Sequence, residues 1–146
     1  MKNIWSALCS RALIDQRTNA LSLIDCVDEI TINFMTPEEM NAPSKNIPIA
    51  FELVSLWHDD VNRKEERTLP YTIEIYDPKG DKIGEFKNDA RFEAGKSRLR
   101  TITGINGLKL TSEGKYLFQV KQGSGSTLKL VTEIPIDVKF LLNIKR

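Results

Sequence analysis

Apolar residues in this chain recur at every second position in short runs, and clusters of Gly, Pro, Asn, Asp and Ser separate the runs. That alternation is the period of a pleated strand with one covered face; helices repeat their apolar positions every three or four residues. A clear instance spans residues 110–120, where the turn signal Thr111-Ser112-Glu113-Gly114 precedes the alternating Tyr116, Phe118 and Val120. Similar runs fall at residues 4–14, 21–33, 47–58, 69–75, 82–86, 96–105 and 127–142.

The tally is eight to ten strands with one short helical turn near 37–41. It predicts an all-β fold, a two-sheet antiparallel Greek-key sandwich of immunoglobulin-like or C2-like type, with a barrel as the alternative. A chain of 146 residues fits one domain, 1–146. At that length a core forms without metal or disulfide. With 40% apolar and 28% charged residues the composition is that of a globular protein rather than a disordered one.

Local signals refine the elements. Residues 16–19 read as a four-residue hairpin loop, which sets Cys9 directly across from Cys26. The pair is read as two free thiols, with a disulfide sterically conceivable. Thr36-Pro37-Glu38-Glu39 is a helix start, with Thr36 as cap and Glu39 closing a capping box. Asp77-Pro78-Lys79-Gly80 is a turn. Pro135 demotes its strand locally to an edge, a bulge or a crossing. The charged run 59–68 reads as a solvated loop.

Residues 1–73 carry 7 basic and 11 acidic side chains, a net of −4, and residues 74–146 carry 14 and 9, a net of +5. Interleaving strands blunt this dipole, so steering toward polyanions is not implied. The start of the chain lacks a secretory pattern and no run is long enough for a membrane helix, so the expected address is the cytoplasm, with no membrane association.

Candidate chemistry is sparse. His58, the single histidine, stands beside Asp59 and Asp60 with no nucleophile context, so no catalytic residue is assigned and no enzyme is expected. Asp59, Asp60, Asp77, Asp81 and Asp89 do not pair in the manner of a calcium site, and one His with two Cys is poor material for zinc. No cofactor and no metal are therefore expected. Lys96, Arg98 and Arg100 would share one strand face, with Lys87 and Arg91 upstream. Without interleaved aromatics, that stripe reads first as protection of a sheet edge and second as a phosphate-tracking surface. Most aromatic residues fall on the apolar parity of their strands, but the facing of Trp5 and Tyr76 stays open.

The Leu-x-x-x-Gly-x-Tyr spacing of Leu110, Gly114 and Tyr116 resembles the tyrosine corner of Greek-key sandwiches, in which a tyrosine hydroxyl bonds to backbone a few residues upstream. It implies that Tyr116 is buried with its OH satisfied near Leu110. Leu13-Ile14-Asp15-Gln16, Leu21-Ser22-Leu23-Ile24, the Pro-led strand at 48–54, Asp77-Pro78-Lys79-Gly80 and Gly114-Lys115-Tyr116 together resemble an uncharacterised bacterial family of short β-sandwich proteins. The return turn Arg17-Thr18-Asn19 lacks the family's glycine, and the 59–68 loop is more charged. That resemblance implies the fold and carries no activity.

The expected function is a non-enzymatic binding or interaction module. It would act on an unknown protein partner or as a homodimer, through the half-apolar face at Val54 and Leu56 and an exposed strand edge. The alternative is a ligand or nucleic-acid binder using Lys96, Arg98 and Arg100, with nucleic acid disfavoured.

Overall fold

The computed structural model describes residues 1–59 and 64–143, and these form two β-sheets. The strands are β1 (Lys2–Ile14), β2 (Leu21–Cys26), β3 (Glu29–Phe34), β4 (Lys45–His58), β5 (Arg67–Tyr76), β6 (Lys82–Phe92), β7 (Arg98–Leu110), β8 (Gly114–Gln122) and β9 (Lys129–Leu142). A short helix, α1 (Pro37–Asn41), links β3 to β4, and a 3-10 turn (Gly125–Thr127) lies between β8 and β9. Thr36 caps α1 by accepting from Glu39 N at 3.2 Å, while the Glu39 carboxylate reaches back to Met35 N rather than to the cap residue.

One sheet has the order β2-β1-β4-β7 and the other β3-β9-β8-β5-β6. Their inner faces meet in a core of Leu8, Leu53, Trp57 and Ile105 against Ile73, Ile75, Phe92, Phe118 and Ile136. The pairing departs from a purely antiparallel sandwich at one place, where β3 runs parallel to β9 from Glu29↔Asp137 to Phe34↔Leu142. No hairpin joins these two strands, so nothing local forces opposed directions. Pro135 falls in the half of β9 that precedes its contact with β3. There one side of β9 is an edge, and a missing N–H costs no ladder bond.

Parity within β7 changes at Gly107, whose φ is +80°. Opposite it, the β4 register slips between Ile47 and Ala50, which places Pro48 at a bulge. The slip turns Leu108 and Leu110 into the core beside Ile105. Beyond Leu110 the chain turns sharply into β8. Tyr116 is fully buried there, and its OH accepts from Thr111 N at 3.0 Å and donates to Ser112 O at 2.7 Å.

The charged run after β4 is not solvated at its ends. Asp59 and Arg67 are both buried and meet at 2.7 Å, and the guanidinium lies 5.1 Å from the centre of the Phe92 ring. The amino group of Met1 stands 3.8 Å from the other Asp59 oxygen. A buried charge persists when it is paired, and the two ends of this run pair with each other. Asp60 lies outside the described residues.

Candidate functional site

The hairpin of β1 and β2 builds the most distinctive surface. Its register sets Cys9 opposite Cys26, Arg11 opposite Ile24 and Ile14 opposite Leu21. Asp15 N bonds to Ala20 O at 2.9 Å and closes the loop. The Asp15 carboxylate accepts from the backbone N–H groups of Thr18 and Arg17, which lowers its pKa.

Only the proximal half of this hairpin continues the sheet. The pair Ser10 and Asp25 is missing from an otherwise regular ladder, and Asp25 has φ +52°. A left-handed residue in the middle of a strand bends it. Two contacts show where the distal half goes: Ala12 N bonds to Glu52 Oε2 at 2.9 Å, and Arg100 Nη1 bonds to Asn19 O at 2.7 Å. In the register of β1, β4 and β7, Glu52 and Arg100 point away from the core residues Leu53 and Trp57. The hairpin therefore folds back over the outer face of the four-stranded sheet and is tethered at its root and tip.

Val54 lies between those tethers, next to Ala7 and Ile102 in the ladders, and is 0% exposed. This corrects the expectation of a contact surface at Val54, because the hairpin already occupies that part of the face. Leu56 is half-buried and borders what is left open.

That opening is a groove of about 940 Å³. Trp5, Leu56 and Leu99 line it from the sheet, and Ile14, Leu21 and Leu23 line it from the hairpin. One wall is basic, formed by Arg91, Lys96, Arg98 and Arg100, with Glu93 the acidic residue among them. Lys96 does not share the strand face with the two arginines. It precedes β7 in a turn closed by its own N–H to Glu93 O at 3.0 Å, and it joins the cluster through tertiary placement. Arg98 and Arg100 share the outer face of β7, opposite His58 and Leu56 of β4.

These cations differ in their commitments. Arg91 pairs with Glu66, and Arg100 is spent on the hairpin tip. Among the described residues, the side chains of Lys96 and Arg98 have no hydrogen-bond or ion-pair partner. The groove thus offers two free positive charges beside an aromatic and aliphatic floor. Such a site suits a ligand that brings a negative charge and an apolar group together. No family model matches this chain, and no curated protein matches it by sequence.

Two further residues singled out in the sequence, Asp77 and Tyr76, make contacts that hold local structure. Asp77 Oδ1 accepts from Asp81 N at 2.9 Å and Lys79 N at 3.0 Å, as the turn chemistry requires. Among the described residues, no three His, Cys, Asp or Glu side chains are grouped to hold a metal, and no helix is long and apolar enough to cross a membrane. Tyr76 lies half-buried on the outer face of the other sheet and donates to Glu74, which Lys121 also contacts at 2.9 Å. Burial pushes the Glu74 carboxyl up, but the bonds from Tyr76 and Lys121 outweigh it and hold the group below the usual range. The contribution of Ile14, Leu21, Leu23 and Leu99 to the groove was not visible in sequence. The only trace is the shared parity of Ile14, Leu21 and Leu23 on the distal hairpin.

Proposed function

We propose that this protein is a non-enzymatic binding module that takes an acidic, apolar-tipped segment of a protein partner into the groove beneath its folded-back hairpin. The carrying observation is the adjacency of Lys96 and Arg98, unpaired among the described residues, to Trp5 and Leu56. The reading is supported by charge complementarity: a carboxylate meets the two free cations while an apolar side chain takes the floor. In this reading the protein needs no cofactor and works in the cytoplasm. The same reading takes the two sheets as a Greek-key sandwich, immunoglobulin-like or C2-like, with Leu110, Gly114 and Tyr116 as the tyrosine corner. A nucleic-acid role for Lys96, Arg98 and Arg100 has less support, because Arg100 is held by Asn19 and the cations cluster in a pocket rather than run along a strand.

Binding of short acidic peptides with one Leu or Phe, measured by fluorescence anisotropy against wild type and a Lys96→Glu/Arg98→Glu variant, tests this. The variant should bind at least about tenfold more weakly, about 1.4 kcal/mol, while Lys109→Glu on exposed strand β7 should change nothing. Equal binding by both variants would remove the groove from consideration. A preference for single-stranded DNA with a steep salt slope would favour the nucleic-acid reading instead.

A further inference from the structure

The hairpin root carries a second, independent site. We propose that Cys9 and Cys26 are a thiol–disulfide pair, oxidised by low-molecular-weight disulfides, that latches the two strands beside the hairpin bend. The cysteines are direct partners in the β1–β2 ladder. Opposed residues of an antiparallel pair have Cα atoms about 4.5–5.5 Å apart, inside the range of about 4.4–6.8 Å that a disulfide spans, and their side chains leave the same face. Both are free thiols, with Cys9 buried and Cys26 exposed.

That asymmetry orders the chemistry. Cys26 Sγ, as thiolate, attacks one sulfur of the disulfide oxidant, forming a mixed disulfide and expelling one small thiolate, which takes up the proton that Cys26 gave up. Cys9 then loses its proton, and its Sγ attacks Cys26 Sγ and expels the second small thiol. Two protein thiols are oxidised to one disulfide, and the oxidant is reduced to two thiols. Burial, then Cys26 and Glu52, push the Cys9 thiol up, so it is a poor first nucleophile. Held opposite Cys26, it needs only to complete an intramolecular exchange. The next ladder position is the interrupted Ser10 and Asp25 pair, so the bond would fix the strands where the hairpin leaves the sheet.

The test uses oxidised glutathione on the purified chain. Intact mass should fall by two hydrogen atoms with no glutathione retained. Trypsin, cutting after Arg11 and Arg17, should release residues 3–11 and 18–45 still joined until a reductant is added. A Cys9→Ala variant should keep one glutathione on Cys26, and Cys26→Ala should take up none while folded. Backbone hydrogen exchange across 10–25 should slow on oxidation of the wild type. A wild-type chain that keeps a stable glutathione adduct, links to a second copy through Cys26, or stays fully reduced overturns the proposal. None of these readouts depends on whether the groove binds a peptide.

Discussion

Thr111 Oγ1 donates a 2.9 Å hydrogen bond to Asp77 Oδ2, joining the turn between β5 and β6 to the corner between β7 and β8. The contact is reinforced at Gly114, where an added Cβ would come within 2.9 Å of Pro78 Cγ, and whose φ of +135° favours glycine. Two turns distant in sequence are thereby locked at one end of the sandwich. Asp77 is buried, and its carboxylate oxygens accept from Asp81 N, Lys79 N and Thr111 Oγ1.

Removing that acceptor set should be costly. Asp77→Ala is expected to lose about 2 kcal/mol in chemical denaturation, because three donors lose their shared acceptor, and Thr111→Val about 1 kcal/mol, because the buried Asp77 carboxylate loses a donor. Burial raises the Asp77 carboxyl, but the bonds from Asp81, Thr111 and Lys79 outweigh it and leave its pKa lowered. A carboxyl lowered in the folded state contributes stability that is complete above the ordinary carboxylate range and is lost as pH falls through the lowered folded value. Denaturation midpoints measured from pH 7 downward should therefore fall less steeply for Asp77→Asn than for wild type.

Tyr116→Phe keeps the ring in the core and deletes only the hydroxyl. Thr111 N and Ser112 O then lose a partner, and the expected cost is about 1 kcal/mol with peptide binding in the groove unchanged. Loss of binding in a variant that still melts cooperatively would place Tyr116 in a functional site instead.

Arg100→Ala should release the hairpin tip without unfolding the sandwich. The bond to Asn19 O is exposed, so global stability should shift by less than about 1 kcal/mol. Amide exchange at residues 12–23 should nevertheless accelerate clearly, while β5 and β8 keep their protection. Uniform exchange in variant and wild type would mean that the tether at Ala12 and Glu52 suffices.

The legible parts of this protein are those encoded within a few residues. Alternation marks the strands, Thr36 and Pro37 start the helix, Asp77 to Gly80 make the turn, and a four-residue loop sets the Cys9 and Cys26 register. Each follows from backbone preference and short-range hydrogen bonding, which neighbouring residues decide among themselves.

The candidate site had no such local code. Lys96 joined Arg98 and Arg100 by turn placement, Trp5 faced the groove, and Val54 vanished under the hairpin. The cover over Val54 depends on the bend at Ser10 and Asp25, which no turn motif announces, whereas Lys96 is placed by the turn that Glu93 O closes and Trp5 by its pairing with Leu56. The parallel pairing of β3 with β9 and the burial of Asp59 against Arg67 are likewise decided at long range. By itself the sequence determined the elements, their local register and their apolar faces, because a strand's pattern acts at a spacing of two residues. Only the tertiary structure decided which apolar face covers which and which cations stay unpaired, because those outcomes depend on surfaces that meet after the chain has folded.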